Sequence, residues 1–185
     1  MSLTELNSTV ALVVIDLQVG TTSNTTAHPV ADVLARASEL LEGFRSQGLP
    51  VAIATVDGTP AGQTTYGAGA REFPPAFSEP VPEFVAQPGD ITISRRTWSA
   101  FSGTDLDAQL TAKGVTQIVL AGLATSFGVE STARDAYDRG YSVVLAVDAM
   151  TDPSIDSHNH SIARVFPTLG QTDTTAAIIT LLETA

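Results

Sequence analysis

The chain contains no cysteine. That absence excludes disulfides, thiolate metal sites and a cysteine nucleophile. Positive charge is also scarce. Nine Lys and Arg face twenty Asp and Glu, for a net charge of −11, and Lys113 is the single lysine. Nucleic acid is therefore a poor partner, because a polyanion needs a basic stripe and none is present. No stretch approaches the roughly eighteen apolar residues of a membrane span. The N-terminus MSLTELNSTV lacks a basic region followed by an apolar core, so no signal peptide and a cytoplasmic location are expected. Histidine is limited to His28, His158 and His160. The last two stand two apart, which does not place them on one helix face; a structural or surface role is expected for both, and no metal site.

What is present is a chain of 185 residues, 43% hydrophobic and only 16% charged. Residues 1–185 read as one domain, long enough to bury a core without staples. Four Val- and Ile-rich runs, at 11–15, 51–55, 117–121 and 142–147, have the pattern of strands covered on both faces. A fifth, at 90–94, alternates more and follows the turn Gln87-Pro88-Gly89. Helix-length segments lie between them. In residues 30–47, Val33, Leu34, Ala37, Leu40, Leu41 and Phe44 recur at helical spacing, and Gly48 and Pro50 end the segment. Further helices are expected at 105–113, 126–139, 155–165 and 174–182. This alternation predicts the α/β class: a three-layer α/β/α domain around a Rossmann-like parallel sheet of five to six strands. Residues 57–88, rich in Pro, Gly and Thr, read as a long surface loop over a pocket.

In such sheets ligands bind beyond the carboxyl ends of the strands, near the point where strand order reverses. Asp16 and Gln18 follow the first run. Arg95, Arg96 and Trp98 follow the 90–94 run, residues 122–128 follow the 117–121 run, and Asp148 follows the 142–147 run. A carboxylate directly after Val-Val-Ile is costly unless it faces a site or is well paired; a loop-tying aspartate is the competing reading. A haloacid-dehalogenase pattern needs a second Asp at 18, where Gln stands. Gly122 to Gly128 opens into a helix, where free N–H groups receive negative charge; tight packing is the plainer reading of those glycines. Neither GxGxxG nor GxSxG is present, which disfavours dinucleotide binding and an ordinary serine hydrolase. Glu130, Arg134 and Asp138 read as ordinary i,i+4 helix pairs.

Three segments in order, ALVVIDLQ, RRTWSAFSGTDL and LAGLATSFGVESTARDAYDRGYSVVLAVDAM, resemble the isochorismatase-like superfamily, which includes nicotinamidases. The later SHNHSIARVFPTLG resembles one branch of hydrolases within it. The resemblance implies a catalytic Asp at Asp16, with Arg95 at the position of the family's catalytic Lys. It places Gly128 where the amidase branch has its Cys nucleophile. It makes the N–H groups of Ala124 and Gly128 the oxyanion donors, with a cis peptide before Ala124. Trp98 and Phe127 would then line the pocket, Gln18 would bind a polar group of the substrate or tie the loop that follows, and Phe101 is read as core.

With Gly at 128 an acyl-enzyme route is excluded. The family's isochorismatases also carry Gly there and cleave a vinyl ether with the Asp as proton donor, without a metal. The resemblance therefore implies a small-molecule hydrolase without a cofactor, working by non-covalent acid–base chemistry, and a homo-oligomer. Arg cannot pass protons as Lys can. Its fixed charge lowers the pKa of Asp16, whereas burial raises it, so the balance depends on how deeply Asp16 is buried. Ionised, Asp16 suits water activation, with Arg95 or Arg96 gripping a substrate carboxylate. The other reading is a family member that has lost catalysis and binds a small anionic metabolite.

Overall fold

The computed structural model describes residues 3–184. Six strands form the central sheet: β1 (Val10–Ile15), β2 (Val51–Val56), β3 (Ile91–Arg95), β4 (Gln117–Leu123), β5 (Ser142–Thr151) and β6 (Gln171–Asp173). Their order is β6-β5-β4-β1-β2-β3, and every neighbouring pair is parallel. The chain winds outward from β1 to β3, then returns to β4 on the other side of β1 and winds outward again. The order therefore reverses between β1 and β4, which is where a ligand crevice forms in this architecture.

The sheet is buried on both faces because β1 alternates between two cores. Ala11, Val13 and Ile15 pack with Phe101, Leu106, Val129 and Phe166. Val10, Leu12 and Val14 pack with Leu40, Phe44 and Ile178. The second layer is formed by α1 (Val30–Ser46) and α5 (Thr175–Thr184), the first by α2 (Leu106–Ala112), α3 (Glu130–Asp138) and the region of α4 (Ile155–His160). In α1 the buried residues are Val33, Ala37, Leu40, Leu41 and Phe44, the apolar stripe of an amphipathic helix. This is the three-layer α/β/α arrangement expected from the alternation of runs. Among the described residues no helix is long and apolar enough to cross a membrane.

Three local features differ from the sequence expectations. β6 spans only Gln-Thr-Asp, too short and polar to register as a buried strand. β5 continues past Val147 to Thr151, with its register to β4 shifting between Leu120 and Gly122, so Asp148 lies within the strand rather than at its end. Residues 57–88 form a partly ordered flap. Gly58–Thr59 pairs with Arg71–Glu72, Gln63–Thr64 pairs with Gly67–Ala68, and short helical turns follow at Pro75–Ser78 and Pro82–Phe84. Phe84 is fully buried and anchors the flap to the core.

Candidate active site

At the switch point the two central strands come into close approach. Gly122 pairs with Ile15 in the ladder, and a Cβ at 122 would lie 2.0 Å from the Ile15 carbonyl oxygen. Only glycine fits there, and its φ of 124° is one that side chains rarely adopt. One residue beyond Ile15 the chain bends sharply. Asp16 adopts a φ of 51°, which is uncommon for a residue with a side chain and carries strain. Its N–H donates to the Ala54 carbonyl at 2.8 Å, and the Thr21 hydroxyl donates to its carbonyl.

The bend aims the Asp16 carboxylate at Arg95, which ends β3. Arg95 Nη1 donates to Asp16 Oδ1 at 2.7 Å and Nη2 to Oδ2 at 3.0 Å. Nη2 also donates to the Trp98 carbonyl at 2.9 Å. Asp16 is 7% exposed and Arg95 4%. Burial is the largest influence on Asp16 and raises its pKa above the ordinary aspartate value; the charge and hydrogen bonds of Arg95 pull it down and offset only part.

The carboxylate forms part of the wall of a cavity of about 250 Å³. Ala124, Phe127 and Gly128 line one side, and Trp98, Phe73 and Phe77 another. Trp98 and Phe127 are 60% and 43% exposed and pack edge to face, with ring centroids 5.1 Å apart. The accessible lining is mainly apolar, with Asp16, Arg96, Asn24 and four threonines among the wall residues, a mix suited to a small molecule. Among the described residues, no group of three or more His, Asp or Glu side chains converges to hold a metal.

Gly128 sits in a π-helical turn, Thr125–Val129, between β4 and α3, and the Leu123–Ala124 peptide is cis. A Cβ on Gly128 would lie 3.3 Å from both Asp16 Oδ2 and Arg95 Nη2, and 2.8 Å from Ile15 Cγ2. The residue is buried. The guanidinium and carboxylate thus close up against a position that has no side chain. The turn is tied down from behind: Ser126 N–H and hydroxyl donate to Asp152 Oδ2 at 2.8 and 2.7 Å, and the Thr125 hydroxyl pairs with His158 Nδ1 at 2.8 Å.

Asp16, Ala124, Gly128, Trp98 and Phe127 therefore converge on one cavity. Two of the residues expected there do not reach it. Gln18 is 0% exposed, and its amide donates to the Val56 and Phe77 carbonyls while accepting from Val56 N–H. Both polar atoms of that side chain are used in tying the end of β2 and the flap, which leaves neither for a substrate. Arg95 lies behind Asp16, with its terminal nitrogens committed to that carboxylate and to Trp98, so it does not grip a substrate. The cation at the cavity wall is Arg96, which also binds Glu72 and Asp57. Phe101 is core, and Glu130 pairs with Arg134.

Phe73, Phe77, Asp152 and the buried His158 were not legible as parts of this neighbourhood. The two phenylalanines lie in the Pro- and Gly-rich flap, where no periodicity marks a face. Asp152 is concealed by the shifted register of β5.

An isochorismatase domain profile matches residues 10–177. The chain belongs to the isochorismatase family. It is 40% identical over 172 residues to the isochorismatase family protein YwoC of Bacillus subtilis, covering 89% of each chain. It is 38% identical to YecD of Escherichia coli O157:H7, covering 96% of this chain and 99% of that one. The structure of an isochorismatase family protein from Burkholderia thailandensis superposes with a TM-score of 0.90 at 39% identity, covering 97% and 98% of the two chains. Family membership makes the protein a hydrolase of the isochorismatase-like type acting on a small molecule.

Proposed function

We propose that the protein cleaves a small vinyl-ether substrate by non-covalent acid–base catalysis, with Asp16 as the proton donor. One observation carries this reading. A buried aspartate, its pKa raised by desolvation, faces a cavity in which the neighbouring residue, Gly128, has no side chain to act as a nucleophile. Proton transfer is what such a group offers, and a raised pKa is what a general acid needs at neutral pH.

The reaction balances without a covalent intermediate. Asp16 gives its proton to the terminal carbon of the enol ether. The resulting oxocarbenium ion takes up water and collapses to pyruvate and an alcohol, and a proton returns to Asp16. Arg95 holds the carboxylate in place and steadies it once ionised, while the amides of Ala124 and Gly128 meet negative charge on the substrate. Trp98 and Phe127 flank the substrate, and Arg96 offers a positive charge at the wall.

The test is pyruvate release from isochorismate by wild type and Asp16→Asn. Turnover that vanishes in the variant supports the proposal. Saturable binding without turnover by wild type replaces it with a binding protein for a small anion.

A further inference from the structure

A second, larger cavity of about 510 Å³ opens behind the same turn. It is bounded by the N-terminal half of α1, the irregular part of β5 and His158. Its walls carry Asp32, Glu39 and Asp148 against a single Arg36, with Val33 and Met150 as apolar surface. The negative charge is incompletely matched. Arg36 holds Glu39 at 3.0 Å but reaches Asp148 Oδ2 only at 4.0 Å. Asp148 Oδ1 caps α5 by accepting from Thr175 N–H and hydroxyl at 2.7 and 2.9 Å. Asp32 has no ion-pair partner among the described residues.

His158 closes the inner end of this cavity and is 5% exposed. One ring nitrogen, Nδ1, is engaged by Thr125. The other, Nε2, has no hydrogen-bond partner among the described residues. The His28 ring packs edge-on against it at 4.7 Å, with its own Nδ1 paired to the Thr151 hydroxyl at 3.0 Å. Burial lowers the pKa of His158, His28 lowers it further, and Asp152 opposes them. A neutral ring with its proton on Nδ1 donates to Thr125 and leaves Nε2 free to accept.

An anion is repelled by three carboxylates. A metal ion lacks converging ligands among the described residues. A cation with several N–H donors and an apolar body matches what remains: Asp32, Asp148 Oδ2, His158 Nε2 and the Val33 and Met150 surface. We propose that this cavity binds a small organic amine, and that His158 and Thr125 transmit its occupancy to the turn carrying Gly128. The ammonium donates to His158 Nε2 and fixes the ring. The ring fixes Thr125, and Thr125 begins the turn whose Phe127 and Gly128 line the Asp16 cavity. This goes beyond the proposed reaction and does not depend on turnover.

The protein contains its own reporter. Trp98 is the only tryptophan, and it packs on Phe127 of that turn. Wild type is titrated with 1,4-diaminobutane, following Trp98 emission and the Thr125 and Ser126 amide resonances. Butyrate and potassium chloride at equal ionic strength are the controls. The expected result is a saturating change with the diamine alone. Asp32→Asn is expected to weaken binding by about tenfold, the worth of one charge-assisted hydrogen bond. Asp16→Asn is expected to leave the amine affinity unchanged. In Thr125→Val, calorimetry is expected to show retained binding while the Trp98 response is lost. A linear response shared with potassium chloride would overturn the site. So would a response abolished by Asp16→Asn but spared by Asp32→Asn, which places the amine in the first cavity. An undiminished Trp98 response in Thr125→Val would overturn the coupling.

Discussion

Arg95 meets both carboxylate oxygens of Asp16 with both of its terminal nitrogens, and the two side chains close over Gly128. The resemblance implies two departures from the family's amidase pattern, Arg at 95 for Lys and Gly at 128 for Cys, and these two residues meet at one point. The forked guanidinium lies against a position that has no side chain, so position 128 bears directly on how the pair is seated.

Filling that position is expected to disturb the pair. Gly128→Ala puts a methyl within 3.3 Å of Asp16 Oδ2 and Arg95 Nη2, and within 2.8 Å of Ile15 Cγ2. Overpacking of this kind costs about 1–3 kcal/mol. Chemical denaturation is expected to show that loss, together with a fall in kcat.

Arg95 lowers the pKa of Asp16, so removing its charge raises it. In Arg95→Gln the pH at which activity falls on the alkaline side is expected to move upward from its wild-type position. The pH profile of kcat/KM measures this. A downward shift would contradict Asp16 as the acid.

Gln18 is a structural tie. Gln18→Ala leaves the half-buried Val56 N–H without its partner and removes two donor bonds from a side chain that is itself fully buried. A loss of about 1–3 kcal/mol in stability is expected from the part-buried polar groups left unpaired. KM is expected to change little at temperatures where the variant stays folded.

Trp98 and Phe127 form the cavity's aromatic edge. Trp98→Ala is expected to raise KM by about tenfold with a smaller change in kcat, the pattern of lost uniform binding. Steady-state kinetics separate the two.

Most of the fold was legible because four strands are largely buried on both faces and so read as continuous apolar runs, while β3 shows the alternation of a strand with one exposed face. Asp16 was legible because a carboxylate straight after Val-Val-Ile has few cheap placements. The direction of its pKa was not, because that depends on its burial and on the distance to Arg95, which lies 79 residues away in the chain. Of the two readings of Gln18, the structure favours the loop tie over the substrate contact: proximity to Asp16 in sequence says nothing about which face of the bend it takes. The cavity's remaining walls come from the flap, whose short ladders leave no periodic signature.

Stability and activity are expected to part at Asp16. Its folded-state pKa lies above the unfolded value, so the folded chain binds the proton more tightly. The stability this contributes is fully present below the unfolded pKa near 3.8 and is lost as pH rises through the folded value. Asparagine mimics the protonated acid, so Asp16→Asn is expected to gain in stability relative to wild type as pH rises through that window. Thermal unfolding at a series of pH values reads the difference.

The most direct measurement is the pH profile of pyruvate release from isochorismate by wild type beside Asp16→Asn. The expected result is a wild-type rate that falls as pH rises through the Asp16 pKa, and a variant about 10²–10⁴-fold slower, the worth of a positioned general acid, while remaining folded. A folded Asp16→Asn variant that turns over at the wild-type rate would contradict the account.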